Sequence, residues 1–548
     1  MTGHMARAFL SAFFLVLCIS CLATIGATIS APHLVLDLPL HQDEFRSVAS
    51  AAAPRPPALA GMQASLSSEG LNYVKEVLVQ QILQQQLPLV VPDLRVRERS
   101  PIGHVDVVLS HIVLPNMSVP EAHIDLEPAG AVITIFAAGV TANVSLSWAY
   151  KVAAQYWPWP MGDAGRGHIE IEGLQTGVSF RLKQAGGGVL LEVVQTGTFI
   201  EALHVHLSGG QSWLYNWFIQ VLGGKIRAAL ESAVGGGVAK GVAKLDKFLQ
   251  TLPQRIPVDQ FAAIDATLLR DPLVESASLS FPLSGQFVPT AGHPPPFTPA
   301  PLPFPALCGA ERPHAVATVS AAVLNSAGAV YFAAGQLTWP VDELPAGSPV
   351  QLNTRSWRFL LPRLYLQYPD AAMALNISFT AAPVVTLDPD GVAVAAQAAM
   401  EMQVLDQAGA RQGVAAIGIS ATFQGAAYVR GNNVTGAVHL DSLQLALLWS
   451  HIGDFHMGLI QASVRSVVSL VVLPQVNRRL ATGFPLPVVP GVRLRNSSLC
   501  YAPDSLIVCT DVEYRDGQEG QREEEGAGER TAGAGGTRGW GSWRRWIP

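Results

Sequence analysis

Cysteine is nearly missing from this chain, and its absence is informative. Five occur in 548 residues, at positions 18, 21, 308, 500 and 509, so nearly three hundred consecutive residues carry none. Beyond Cys21 there is no CxxC pair, which argues against a cysteine-built zinc site. Charge is also scarce, at 14% of residues with a net of −6, and no basic excess exists to hold nucleic acid. After residue 30 no uninterrupted apolar run reaches 18 to 20 residues, which excludes a membrane-spanning helix from that part of the chain. The GxSxG elbow, the HExxH helix and the phosphate-binding loop are absent as well, so no familiar catalytic constellation presents itself.

What is present in excess is apolar sequence. Hydrophobic residues make up 49% of the chain and mean hydropathy is +0.29, yet the apolar positions come in short alternating groups. That pattern suits lined cavities better than membrane spans. Arg7 precedes an apolar run from Ala8 to about Ile25 with small residues after it, the layout of a secretory signal peptide over 1–31, with an uncleaved anchor as the alternative. Five Asn-x-Ser/Thr sequons follow, at Asn116, Asn143, Asn376, Asn433 and Asn496. They become glycosylation sites if the chain is secreted or enters an endomembrane lumen.

Residues 32–64, rich in Ala and Pro, read as a flexible leader. From Ser67 or Ser68 an N-cap is followed by Leu71, Val74, Leu78 and Ile82, one apolar stripe ending before Pro88, with Asn72, Glu76, Gln80 and Gln84 opposite. The period then changes to two at Val105–Val107, His123–Leu126, Val144–Leu146 and His168–Glu172, which predicts antiparallel strands with one wet face. A second helix is expected over 212–252 with Trp213, Trp217, Val221, Leu222 and Ile226 inward, broken or bent at Gly235–Gly237. Seven prolines between Pro294 and Pro305 form a stiff extended spacer within a linker at 286–309, dividing the chain into bodies at 65–285 and 310–514. The second body repeats the recipe: a helix over 315–334, strands from 351 to 447, an amphipathic helix over 457–480, and strands at 492–494 and 505–512. The tail, 515–548, is acidic and glycine-rich and reads as disordered.

Several segments together carry a family resemblance. Leu448–Gly453, Val472–Asn477, Gly483–Pro487, Pro294–Phe297 and Thr510–Tyr514 resemble the second domain of the bactericidal/permeability-increasing and lipopolysaccharide-binding protein family. Ile171–Leu174, His204–Leu207 and Gln250–Pro253 are similar to its first domain, and Gly209–Tyr215 with the Trp-rich stretch 148–159 resembles the plant and algal branch. The resemblance implies an α+β fold: two tubular lipid-binding domains, each a highly curved antiparallel sheet wrapped on long helices, in a boomerang arrangement. It also implies a monomer that binds lipopolysaccharide or phospholipid, touches membranes peripherally, needs no cofactor beyond a bound phospholipid and catalyses nothing. Innate defence and lipid transfer without bacterial recognition are the two roles it leaves open.

Two departures from the family stand out. Its animal members tie a first-domain strand to the long helix by a disulfide, which this chain has no cysteine to form. Between Gly61 and Phe281 there are 7 Lys and 8 Arg against 19 acidic residues, a balance of −4, so general attraction to an anionic bacterial surface is not expected.

Local candidates remain. Arg95, Arg97 and Arg99 alternate on an extended segment, with Glu98 turned the other way, and guanidinium forks suit phosphate. Lys151 and Arg166 add to this set. Trp148, Trp157 and Trp159 suit a membrane interface. The alternative reading makes the arginines a solvated strand face and the tryptophans caps on a barrel end. Cys500 and Cys509 flank the turn signal Ala502–Asp504 and are a disulfide candidate, leaving Cys308 buried or reactive. His204 and His206 share one strand face and form half a metal site, with no third ligand in view and a structural role expected.

Overall fold

The computed structural model describes residues 59–100, 103–154, 161–208, 212–302, 312–343, 351–430, 433–454, 457–469, 473–482, 484–485 and 492–514. The signal segment, most of the leader, Cys308, Trp157, Trp159 and the tail lie outside these residues, as do the side chains of Trp213, Trp217 and Val221. Among the described residues no helix is long and apolar enough to cross a membrane.

Three antiparallel sheets dominate. The first holds Leu89–Val91 and Leu94–Ser100 against Gly103–Ser118, then Val132–Ala154, Met161–Ala185 and Gly188–Ser208, with Glu121–Glu127 on Val132–Ala154. The second runs Thr338–Val341, Met373–Phe379, Gly391–Leu405, Arg411–Arg430, Asn433–Ser450 and Phe484–Pro485, with Val384–Asp388 on Gly391–Leu405. Between them a six-stranded sheet takes Leu273–Val274, Ser278–Leu283 and Met62–Ser67 from the first half and Ala315–Ser320, Ser505–Tyr514 and Val492–Ala502 from the second. The halves are thus joined by backbone pairing, Met62–Ser67 lying directly against Ala315–Ser320.

Strands of 16 to 25 residues in the first sheet could not stay flat, and register shifts interrupt them at Ser110/Val113, Ala137/Val140 and Ser179/Phe180. Each extra residue increases twist and bends its strand, which curls the sheet. Gly139 and Gly173 sit at such points with φ of 63° and 65°. At Gly173 a Cβ would also approach the Glu201 carboxylate to 2.5 Å, so glycine is required twice over.

The helix Ser68–Gln86 starts as expected, Ser67 Oγ accepting from the Gly70 amide at 3.1 Å. Leu71 and Val74 are buried while Asn72, Glu76 and Gln80 face solvent. The second helix, Ser212–Thr251, runs unbroken for 40 residues, about 60 Å, straight through Gly235–Gly237. Its contacts explain why it does not break. Gly235 lies so close to the strand Gly188–Ser208 that a Cβ would stand 3.2 Å from Thr198 Oγ1, and the helix is bonded to that strand on both sides of the glycines. Tertiary fixation there outweighs the poor helix propensity of glycine.

Four other sequence expectations are corrected. Residues 315–320 form a strand, and only Ala321–Ala333 is helical; all six strand residues are buried between neighbours on both sides, which removes the alternation that would have marked a strand. The expected helix over 457–480 is two, Met457–Val467 and Leu473–Thr482, with Pro474 in the first turn of the second, where a missing N–H is tolerated. Met62–Ala64, assigned to the leader, are fully paired buried strand. The linker is less free than its prolines suggest, since Phe287–Pro289 pairs with Ala262–Asp265 and Ala300–Pro301 with Leu59–Ala60.

Candidate functional site

Strand Leu94–Ser100 lies on Gly103–Ser118 with Arg95, Arg97 and Arg99 on the exposed face, and Glu98 turned inward to an ion pair with Lys225 of the long helix. The alternation predicted from sequence holds because the segment is paired as a strand over its whole length. Arg97 stands opposite Asp106 and bonds it, Nε to Oδ1 at 3.1 Å. Lys151 follows in the same row, opposite Asp106, and Arg166 lies one strand further, opposite Ser147. The five cations share one exposed face near one end of the first sheet, with Asp106 set among them.

Trp148 does not belong to that face. It is 2% exposed and points inward with Leu146 and Val152, its ring stacked on Tyr150 at 6.0 Å and its Nε1 donating to the Arg166 carbonyl at 3.2 Å. Residue parity decides this: 147, 149 and 151 face out, so 148 faces in. Opposite it, a Cβ at Gly165 would come within 2.7 Å of the indole, so the glycine makes room for it. Trp148 is a core residue, not an interface anchor.

Beneath this face the first sheet and the long helix enclose a core that includes Val107, Leu109, Val144, Ile169, Ile171, Leu222, Ile226 and Leu230. In the second sheet part of the inward face is fully buried and part is not. Ala396, Ala421 and Leu443 lie opposite one another and are buried, but the next row, Val394, Phe423 and Leu440, is only half-buried. An apolar strip thus remains partly accessible on the inner side of the second half.

The free edge of each sheet is covered by helix side chains, a standard defence against unpaired backbone groups. In the first half Asp246 Oδ1 accepts from the Leu191 amide and Glu231 Oε1 from the Ile200 amide, both at 2.9 Å, while Arg227 donates to the Ile200 carbonyl at 3.0 Å. In the second half the work falls chiefly to amides. Asn477 exchanges two bonds of 2.8 Å with the backbone of Val438, and Gln461 donates to the Leu443 carbonyl at 2.7 Å.

The remaining candidates divide. Cys500 lies opposite Ile507 and Cys509 opposite Ser498, so the two thiols are diagonal neighbours in a small cluster with Val316, and they are not joined as a disulfide. The diagonal separates Cβ atoms beyond the roughly 3.8 Å a disulfide favours. Asn116, Asn143 and Asn496 are exposed, Asn116 and Asn143 opposite one another, while Asn376 is half-buried within its sheet. Of Asn433 only its place at the start of a strand is described.

His204 and His206 do share a face, and the next strand brings His168 and Glu170 opposite them. In the sequence His168 and Glu170 show only strand alternation; the cross-strand register that sets them beside the histidines is not carried by a single sequence.

Comparison with known proteins agrees with this architecture. The LBP / BPI / CETP family N-terminal domain matches residues 70–252 and its C-terminal domain residues 257–514. A BPI/LBP family protein of Arabidopsis thaliana is 33% identical over 83% of this chain and 92% of its own length. The bactericidal permeability-increasing protein of Sebastes schlegelii is 28% identical over 83% and 95%, and the lipopolysaccharide-binding protein of Mus musculus 30% identical over 57% and 65%. A crystal structure of lipopolysaccharide binding protein shares the fold, with a TM-score of 0.56 at 23% identity, covering 84% of this chain and all of that one. The chain belongs to the LBP / BPI / CETP family.

Proposed function

We propose that this is a secreted, monomeric lipid-binding protein that sinks acyl chains along the apolar inner faces of its sheets and holds an anionic headgroup, of lipopolysaccharide or phospholipid, at its peripheral basic face. The half-buried row Val394, Phe423 and Leu440 carries the reading, because it offers apolar surface that stays partly accessible on the inner side of the sheet. At about 0.8 kcal/mol per CH₂ removed from water, an acyl chain of about sixteen carbons is held by up to roughly 12 kcal/mol against release into water, which offsets the similar term it gives up on leaving a bilayer. Arg95, Arg97, Arg99, Lys151 and Arg166 would meet the phosphates, each charged hydrogen bond contributing about 1.5–3 kcal/mol. Relatives named for lipopolysaccharide binding and for bactericidal action support the same choice of ligand and a place in innate defence.

One observation favours a second reading, a carrier that moves phospholipid or neutral lipid without bacterial recognition. Arg97 is already engaged by Asp106, and the first half as a whole is acidic. Native mass spectrometry of the secreted chain, exposed to phospholipid vesicles and lipopolysaccharide at low and high salt, separates the two. Retained phospholipid with lipopolysaccharide lost at high salt is the result expected for recognition. Phospholipid exchange alone makes the protein a carrier, and a chain that takes up no lipid under any condition overturns both.

A further inference from the structure

The outer face of the first sheet carries a second cluster, beginning one row beyond Arg166. His168 lies opposite His206, and Glu170 opposite His204, on the neighbouring strands Met161–Ala185 and Gly188–Ser208. The four side chains therefore occupy two adjacent rows of one face, all exposed. The imidazoles of His168 and His206 stack with centroids 4.7 Å apart and planes 17° from parallel. His168 Nε2 is 3.8 Å from Glu170 Oε1, and one donor atom from each of His168, Glu170 and His206 lies within 4.8 Å of the others. A second pair, His204 Nε2 and Glu172 Oε2 at 3.8 Å, flanks them.

The geometry points to a divalent-cation site of the zinc type with His168, His206 and Glu170 as its ligands. Two imidazoles and one carboxylate form a donor set that zinc accepts where three protein ligands leave a fourth position to water. Imidazole donors also select such borderline cations over magnesium or calcium, which take oxygen cages. Tetrahedral bonds of about 2.0–2.1 Å put donor atoms about 3.3 Å apart, so the three must close by about 1.5 Å or less. Rotation of exposed side chains supplies that movement, while the strand ladder already fixes the backbone: residues directly opposite in an antiparallel pair have Cα atoms about 4.5–5.5 Å apart. Glu170 also lines a shallow cleft of about 310 Å³ with Asn116, Asn143 and Glu172, so the fourth position opens beside polar groups able to hold its water. The site does not draw on the apolar interior, although its His168 neighbours Arg166 of the basic face.

Zinc titration of the full secreted chain, free of any polyhistidine tag and stripped with chelator, against a chromogenic zinc indicator provides the test. One zinc per chain is expected, with cobalt(II) substitution giving the intense visible bands of a tetrahedral site. His168→Gln and His206→Gln should each weaken binding by more than about 100-fold, beyond the 10–100-fold cost of losing mere supporting contacts to a ligand. His439→Gln, exposed on the second sheet, should bind as the parent does. Absence of stoichiometric zinc, parental affinity in both His168→Gln and His206→Gln, or equal loss in His439→Gln would each overturn the assignment.

Discussion

The two halves meet the same requirement with different chemistry. Each has a long strand near the end of a seven-stranded sheet whose unpaired edge faces helix, Gly188–Ser208 in the first half and, beyond its short pairing with Phe484–Pro485, Asn433–Ser450 in the second. The first half satisfies that edge with ionised groups, Asp246, Glu231 and Arg227, on one unbroken helix. The second uses chiefly the amides Asn477 and Gln461 on two short helices, with Arg465 donating to the Asp441 carbonyl at 3.5 Å. Charge-assisted bonds are roughly twice as strong as neutral ones, and a 40-residue helix holds all three in one rigid frame. The first half buries Leu222, Ile226 and Leu230 almost completely, whereas the second keeps the half-buried row Val394, Phe423 and Leu440.

The most severe way to break this contrast is to hollow each interior in turn. Leu230→Ala, at a side chain 1% exposed, should destabilise the protein by about 2–5 kcal/mol in urea unfolding, with lipid retention lost only as the fold is lost. Phe423→Ala should cost below about 2 kcal/mol, because that side chain is already partly accessible, and should still impair acyl-chain retention in the folded protein. Equal stability losses at the two positions would show that the second interior is as tightly closed as the first.

A smaller effect sharpens the edge chemistry itself. Glu231→Ala leaves the amide of Ile200, a residue with no exposed surface, without its partner and should cost about 1–3 kcal/mol. Asn477→Ala removes two neutral bonds and should cost a similar amount. Salt tells them apart: hydrogen exchange along Gly188–Ser208 should quicken as ionic strength rises, while exchange along Asn433–Ser450 stays level. Identical salt responses would mean that charge plays no special part in the first half.

How much of this was visible beforehand follows from which residues carry local signals. The Ser67 cap, the stripe Leu71–Val74 and the outward alternation of Arg95, Arg97 and Arg99 were legible, because each depends on neighbours in sequence. The strand Ala315–Ser320 was not, since burial on both faces erases its period. The unbroken helix at Gly235 depends on Thr198 and Ile200 from a strand some 35 residues away, contacts that no propensity encodes. Trp148 and the pairing of His168 with His206 failed for a related reason. A strand's alternation says that two faces exist, but which face is inner, and which residue stands opposite, is settled by register.

The seam between the halves offers an alkaline test. Tyr331, on Ala321–Ala333 of the second half, donates to Asp259 Oδ2 of the first at 2.8 Å. Burial, with that hydrogen bond and the carboxylate's charge, pushes the phenol well above its usual range near 10. The folded state therefore holds its proton more tightly than the unfolded state does. The contribution is complete below about pH 10 and fades as pH climbs toward the folded-state value. Tyr331→Phe should cost about 1 kcal/mol at pH 7 and flatten the stability loss above pH 10. An unchanged alkaline slope would place the late-titrating phenol elsewhere.

The smallest expected change in stability concerns the basic face, a feature of the first half. Arg97 and Asp106 have side chains 69% and 48% exposed, so Arg97→Ala should alter stability by less than about 0.5 kcal/mol. Its effect on capture of an anionic headgroup should be larger and opposite to that of Asp106→Asn. Removing the arginine withdraws a phosphate donor, whereas removing the carboxylate releases Arg97 from its ion pair and takes a negative charge from between Arg97 and Lys151. In a vesicle or lipopolysaccharide pull-down at low salt, Arg97→Ala should capture less than the parent and Asp106→Asn more, with the three converging as salt rises. If both variants match the parent at every salt concentration, the arginines are a solvated strand face, and lipid recognition depends on the apolar interiors alone.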